Sequence, residues 1–144
     1  EAVQICGAQR LGHGVRIVED IVTDDSGRTI LGPLASYIRN QRIPLELCPS
    51  SNLQTGIADS IEHHPIQLLK ELKFRVTVNC DNRLMSATTM SREFALLSET
   101  FGWDLDDVEW CTVNAMRAAF LHHDQRESLI REAIRPAYAA ARAA

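Results

Sequence analysis

The sequence alternates short apolar segments with segments of helical spacing, and this alternation restricts its fold more than any other feature. The apolar segments are residues 5–14, 44–49 and 75–82. Pro33 and Pro65 open the segments between them, and proline is favoured in the first turn of a helix. The order strand, helix, strand, helix, strand predicts an α/β fold in which parallel strands are joined by crossover helices.

The third apolar segment ends on two polar residues. Val76 and Val78 belong to a β-branched run typical of a buried strand, and Asp81 and Asn82 follow it. Enzymes with parallel sheets bind ligands at the carboxyl ends of their strands, so these two residues are candidates for a binding site. The alternative is that Asp81 and Asn82 only form the next turn, as Asx residues often do.

The first two apolar segments carry further candidates. His13 stands between Gly12 and Gly14, which leave room for the backbone to approach a ligand, although a single histidine can equally be structural. Glu46 lies inside an apolar strand, where a carboxylate must be paired or functional unless it faces outward. We expect residues 50–52 to form a polar loop after this strand.

Composition excludes several classes of protein. A length of 144 residues with 45% hydrophobic and 24% charged residues is typical of one globular domain. A net charge of −4 argues against nucleic acid as a partner, and no apolar run approaches the ~20 residues of a membrane span. The four cysteines form no C-x-x-C motif, which favours reduced thiols in a cytoplasmic protein over a disulfide framework.

Three parallel strands make a poor sheet on their own, because both edges expose unpaired backbone groups. A (β/α)₈ barrel needs about 250 residues, and this chain supplies the equivalent of its last three βα units. We therefore expect residues 1–144 to be the C-terminal part of one barrel domain, with additional helices from about residue 88 to residue 144. The expected partner is the missing N-terminal part of the barrel.

Four separated motifs resemble, in order and spacing, the C-terminal motifs of the adenosine deaminase family of metal-dependent amidohydrolases. They are Arg-Leu-Gly-His-Gly at 10–14, Leu-Glu-Leu-Cys-Pro-Ser-Ser-Asn at 45–52, His-Pro at 64–65 and Val-Asn-Cys-Asp-Asn at 78–82. The resemblance implies a cytoplasmic zinc enzyme of purine salvage, built on a (β/α)₈ barrel. Its expected reaction is hydrolysis of adenosine and deoxyadenosine to inosine and ammonia.

The resemblance also implies roles for individual residues. Asp81 matches the zinc-binding aspartate, and His13 matches the histidine that holds or deprotonates the attacking water. Asn82 matches the residue that contacts N7 of the purine; the family more often has aspartate there, whereas an amide N–H donates to N7 without being protonated first. Ser51 and Glu46 match positions that would orient Asp81 and His13.

Other zinc-binding motifs of the family are absent from this sequence. It lacks the paired His-x-His, the third zinc histidine and the glutamate that serves as the acid. The adjacent histidines at 63–64 and at 122–123 do not have the spacing of metal ligands. One carboxylate cannot hold catalytic zinc, which normally has three or more protein ligands. We therefore expect this chain to be inactive by itself and most zinc ligands to lie in the missing part.

Three alternatives stay open. The substrate could be adenine or a modified adenosine, since the residues that grip the ribose lie largely outside this chain. The chain could be a catalytically dead piece retained for binding, or an unrelated small α/β binding module. The other deaminase architecture, which has a Pro-Cys-x-x-Cys zinc signature, is excluded by the cysteine spacing.

Overall fold

The computed structural model describes all of residues 1–144 and contains one parallel sheet and one antiparallel hairpin. The strands are β1 (Leu11–Gly12), β2 (Ile21–Thr23), β3 (Thr29–Leu31), β4 (Leu45–Leu47) and β5 (Val76–Val78). The parallel sheet has the order β1-β4-β5, with Leu11 opposite Leu45 and Leu45 opposite Val76. The predicted parallel arrangement of the three apolar segments is confirmed.

Seven α-helices connect and follow the strands. They are α1 (Pro33–Asn40), α2 (Pro49–Gln54), α3 (Ile66–Glu71), α4 (Met90–Phe101), α5 (Leu105–Ala118), α6 (His123–Leu129) and α7 (Arg135–Ala143). A 3₁₀ helix covers Val15–Asp20, and a π-helical turn at Ile130–Ile134 joins α6 to α7. The second half of the chain is therefore helical from α4 onward, without further strands.

One expectation for this region is wrong. Residues 50–52 are not a loop but belong to α2, with Pro49 in its first turn. The proline is the signal that would have identified this helix, because its fixed φ suits the first helical position. The consequence is that Ser51 and Asn52 are held on a helix and buried, with 5% and 0% of their surface exposed.

The core lies between the parallel sheet and its helices. Alternate strand residues Leu45 and Leu47 are fully buried, and they pack with Ile38 of α1 and Ile66 and Leu69 of α3. Because successive strand residues point to opposite faces, Glu46 lies on the other face of the sheet. That face would line the interior of a closed barrel.

The edges of the sheet are partly covered. Strand β1 has a strand partner only on its β4 side, as expected for an incomplete barrel. At the other edge, the carbonyl oxygen of Val76 accepts a hydrogen bond from Asn114 of α5 at 3.2 Å. The expectation that nothing protects the edges is therefore wrong at this position, because a side-chain amide from a helix takes the place of a strand donor.

No helix in the structure has an apolar stretch of the length and hydropathy that a membrane span requires.

We predict that Gly14→Ala destabilises the completed protein and that Gly12→Ala does so much less. Gly14 has a φ of 66°, and a Cβ there would lie 2.8 Å from Cδ2 of the fully buried Leu45. A non-glycine residue in this backbone region costs about 1–3 kcal/mol. Gly12 has no positive φ, and a Cβ added there would meet no atom within 4 Å. Urea unfolding of both variants measures the difference, and equal losses would contradict the prediction.

Candidate functional site

The strand ends bring His13 and Asp81 together, although they are far apart in the sequence. The N–H of His13 donates to the carbonyl oxygen of Glu46 at 3.0 Å, which extends the β1–β4 pairing, and Asn79 donates to Leu47 at 2.8 Å, which extends the β4–β5 pairing. His13 Nε2 lies 3.7 Å from Asp81 Oδ2, and the two side chains are 38% and 44% exposed. Both side chains therefore open onto one accessible face at the carboxyl end of the sheet.

Both residues have left-handed backbone conformations. His13 has a φ of 57° and Asp81 a φ of 53°, values that are uncommon for residues with a Cβ. Such conformations cost free energy and persist only where the surrounding structure enforces them, and they are concentrated at functional sites. His13 comes directly after β1, and Asp81 comes three residues after the end of β5.

The Asp81 carboxylate is anchored by the helix that follows β4. Ser51 Oγ donates a hydrogen bond to Asp81 Oδ2 at 2.7 Å, and Ser51 is itself buried. A hydrogen bond from a buried hydroxyl fixes the orientation of the carboxylate, as outer-shell partners do for metal ligands. Ser51 thus contacts Asp81 directly, and its role in orienting a zinc ligand stays a prediction.

A third group that could hold a metal ion lies beside this pair. The Sγ of Cys48, one carboxylate oxygen of Asp81 and one ring nitrogen of His13 all lie within 4.8 Å of one another. Burial, and then the negative charge of Asp81, raise the pKa of the Cys48 thiol to about 12. The thiol is therefore protonated at neutral pH, and it donates to the carbonyl oxygen of Glu46 at 3.5 Å. A carboxylate oxygen of Asp81 could hold a metal ion without the loss of a proton that the Cys48 thiol would require.

The Glu46 side chain makes no hydrogen bond or ion pair with His13 or Asp81. Its Oε1 lies 3.2 Å from Nε of Arg10, whose guanidinium stacks 3.9 Å from the ring centroid of Phe120. The charge of Arg10, close to Glu46 across the β1–β4 pair, accounts for this orientation. Only the main chain of Glu46 supports His13, through the hydrogen bond already described.

Asn82 uses half of its amide in the local turn. Its Oδ1 accepts a hydrogen bond from the N–H of Met85 at 3.1 Å and so caps the following turn, the role that the sequence left open as an alternative. The Nδ2 group makes no hydrogen bond within the chain, and the residue is exposed. Asn82 can therefore stabilise the turn through Oδ1 while its Nδ2 group stays available to donate to a ligand.

Two residues at the site went unrecognised in the sequence, Asn52 and His64. Asn52 Nδ2 lies 3.0 Å from His13 Nδ1, and Asn52 Oδ1 lies 3.1 Å from Nε2 of His64. Both residues are buried, at 0% and 2% exposure. The signals available in the sequence were an asparagine in the turn after Pro49 and a histidine before Pro65, and neither indicated this contact.

A buried carboxylate holds the start of α2 in place. Glu93 of α4 is fully buried and accepts hydrogen bonds from the N–H of Ser50 at 3.0 Å and from Oγ1 of Thr88 at 2.5 Å. It joins the helix that carries Ser51 and Asn52 to the end of the segment that carries Asp81 and Asn82.

The three remaining histidines, His63, His122 and His123, are exposed and lie outside the site.

Comparisons with known proteins identify relatives over nearly the whole chain. The family model described as adenosine deaminase matches residues 1–136. Adenosine deaminase 1 of Streptomyces coelicolor is 61% identical over 139 residues, which are 96% of this chain and 35% of that protein. The chain thus spans about a third of the length of the curated relatives it matches.

Solved structures show the same fold. An adenine deaminase from Arthrobacter aurescens superposes with a TM-score of 0.78 at 21% identity, over 92% of this chain and 37% of that one. An amidohydrolase from Burkholderia ambifaria with bound Zn gives a TM-score of 0.78 at 20% identity, over 96% of this chain and 36% of that one. This chain therefore has the fold of the C-terminal part of a (β/α)₈ barrel, as the sequence predicts.

We predict that His64 contributes to the acid sensitivity of the completed protein. Burial lowers the pKa of this imidazole from 6.5 to about 4. Between these values the unfolded chain binds a proton that the folded chain does not, so stability falls as the pH decreases from 6.5 to 4. In His64→Gln the unfolding free energy should depend less steeply on pH across this window.

The matched control for this experiment is His122→Gln, which removes a histidine whose side chain is 76% exposed. Urea unfolding of both variants and the parent protein at several pH values between 4 and 7 provides the measurement. The same slope in His64→Gln as in the parent protein would contradict the prediction.

Proposed function

This chain belongs to the adenosine deaminase family, and on that premise we propose that the protein completed by the preceding part of the barrel hydrolyses adenosine and deoxyadenosine to inosine and ammonia in purine salvage. The observation that carries the proposal is the separation of 3.7 Å between His13 Nε2 and Asp81 Oδ2 at the carboxyl ends of two parallel strands. A carboxylate and an imidazole this close can act on one small group, which is what a hydrolytic site requires.

Zinc is the proposed cofactor, and Asp81 is the residue of this chain that would hold it. The bond from Ser51 supports this role, because metal-binding carboxylates are commonly hydrogen-bonded in turn. When bound, zinc supplies Lewis-acid chemistry that lowers the pKa of water from 15.7 to about 7. Catalytic zinc normally has at least three protein ligands, so the others would come from the preceding part.

The remaining residues have distinct proposed tasks. The oxygen of water forms a bond to C6 of the purine, the C6–N bond breaks, and the two protons of the water end on the released ammonia and on N1 of inosine. His13 stands where it can hold the attacking oxygen, and the free Nδ2 of Asn82 is the proposed donor to N7 of the base. The acid that protonates the leaving nitrogen is proposed to lie in the preceding part, as the family resemblance implies.

We further propose that residues 1–144 are one part of a single barrel domain, with the helices from about residue 88 as its C-terminal appendage. Support comes from the open side of β1 and from large apolar side chains at the carboxyl end of the sheet that are exposed, Leu84 at 88% and Met85 at 75%. The preceding part of the barrel would cover both the open strand edge and these side chains.

The four free thiols support a cytoplasmic location.

A cluster of arginines also supports the proposal that a preceding part completes the barrel. Arg75 precedes β5, and its Nε is buried without a hydrogen-bond partner, as is the Nε of Arg126. Both line a cavity of about 490 Å³ together with Arg117. Burial, and then repulsion by neighbouring arginines, lower the pKa of Arg75. Arg117 pairs with Glu127 at 3.2 Å, whereas Arg75 and Arg126 have no carboxylate partner in this chain, and we propose that carboxylates of the preceding part meet these two.

A panel of substrates tests the proposed reaction. The completed protein, loaded with zinc, is assayed for ammonia release from adenosine, deoxyadenosine, adenine and N6-methyladenosine. We expect the two nucleosides to have the highest kcat/KM. A preference for adenine or for the methylated nucleoside would replace the substrate assignment, and no release from any of the four would support a binding role instead.

Variants of the two central residues should differ in what they lose. We expect Asp81→Ala to lose both zinc and turnover, because it removes a ligand. His13→Ala should keep zinc while kcat falls by about 10²–10⁴, whether the imidazole holds the attacking oxygen by a hydrogen bond or deprotonates it. Metal analysis and steady-state kinetics provide the measurements, with Asp59→Ala, which removes an exposed carboxylate, as the control. Full zinc content in Asp81→Ala would refute its role as a ligand.

A further inference from the structure

A continuous chain of hydrogen bonds runs from the backbone of α3 to the imidazole of His13. The N–H of Ile66 lies 3.1 Å from Nδ1 of His64, whose Nε2 lies 3.1 Å from Oδ1 of Asn52. The backbone N–H of Cys48 also reaches Oδ1 of Asn52, at 3.3 Å. Nδ2 of Asn52 then lies 3.0 Å from Nδ1 of His13. The chain ends at the site, and its middle is fully buried.

The direction of every bond in this chain is determined by two backbone donors. A backbone N–H can only donate, so Nδ1 of His64 accepts from Ile66, and a neutral imidazole that accepts at Nδ1 carries its proton on Nε2. That proton is donated to Oδ1 of Asn52, the same atom that accepts from Cys48. The amide of Asn52 is thereby fixed with its NH₂ group facing His13.

The consequence at His13 is a single tautomer. Because the Asn52 amide donates to Nδ1, that nitrogen must present a lone pair, and neutral His13 carries its proton on Nε2. Nε2 is the nitrogen that faces Asp81. Burial lowers the pKa of His64 to about 4, so this imidazole is neutral at physiological pH and the chain keeps one direction.

We propose that Asn52 and His64 are positioning residues that hold His13 as the Nε2–H tautomer, so that His13 donates a hydrogen bond into the site and does not accept a proton at Nε2. The proposal rests on the proposed function, since it specifies how His13 serves the attacking oxygen. Of the two roles that the sequence left open for His13, it selects holding the water and rejects deprotonating it.

The same geometry argues against His13 as a zinc ligand. A histidine that binds a metal through one nitrogen usually donates the N–H of the other to an oxygen acceptor. In this site the other nitrogen of His13 faces an amide donor, which leaves no acceptor for such a proton. Metal binding through Nε2 would therefore require breaking the Asn52 bond, whereas Asp81 is available without any rearrangement.

The test uses Asn52→Asp in the completed protein. The substitution keeps the shape of the side chain but replaces the donor with a carboxylate, which accepts from Nδ1–H and should move the proton of His13 to that nitrogen. Asn40→Asp, the same chemical change at an exposed position, is the control. ¹⁵N NMR of labelled histidine reports which ring nitrogen is protonated, and the signal of His13 is assigned by its loss in His13→Gln.

We expect Nε2–H in the parent protein and in Asn40→Asp, and Nδ1–H in Asn52→Asp. With zinc content unchanged, kcat of Asn52→Asp should fall about 10–100-fold, the usual cost of losing an outer-shell partner, with a smaller change in KM. His64→Leu should also lower kcat, and His64→Gln, which keeps an N–H donor, should recover part of the loss.

Two results would overturn the proposal. One is a proton on Nδ1 of His13 in the parent protein, and the other is unchanged kcat in Asn52→Asp although the proton has moved. The NMR result does not depend on turnover. If the parent protein released no ammonia from adenosine while His13 still showed Nε2–H, the proposed function would fail and the assignment of the tautomer would stand.

Discussion

The pairing of β4 with its two neighbours is the interaction on which the rest of the structure depends. β4 is the only strand bonded on both sides, to β1 and to β5, and through it chain segments more than thirty residues apart are held in register. The parallel direction puts the ends of β1 and β5 at the same edge of the sheet. The pairing continues one residue beyond each outer strand, at His13 and Asn79, so the backbone is fixed up to the point where the functional side chains begin.

Beyond the strands, the site is shaped by a short helix and not by the sheet itself. α2 has only six residues, yet it carries Ser51 to Asp81 and Asn52 to His13, and the buried Glu93 ties its first turn to α4. An isolated helix of this length is unstable in water, so its position comes from these contacts. The two residues at the centre of the site are thus oriented by one element that both the sheet and the later helices hold in place.

The sequence was sufficient to predict the parallel sheet, because β-branched runs and helix-opening prolines are local signals with a strong physical cause. It also singled out His13 and Asp81, since both are polar residues at the ends of apolar segments, where parallel sheets place their binding sites. It did not reveal the contact between Asn52 and His64, because the chain between them follows an irregular path that no periodicity describes. The side-chain partner of Glu46 was missed for a related reason: which neighbour a carboxylate selects depends on charges across strands, and here Arg10 lies closest.

The side chains of the site differ in burial, and the chemistry that we assign to the site explains the difference. Ser51, Asn52 and His64 are buried and hydrogen-bonded, whereas His13 and Asp81 remain partly exposed, so the groups that would meet a ligand are accessible and the groups that orient them are not. A hydrogen bond is stronger when water cannot compete for its partners, and burial of the orienting residues therefore strengthens their hold on the exposed pair. The direction of the Asn52 amide then follows from two backbone N–H groups, which cannot reverse their polarity. A backbone constraint is in this way transmitted through two side chains to the one proton on His13 that faces Asp81.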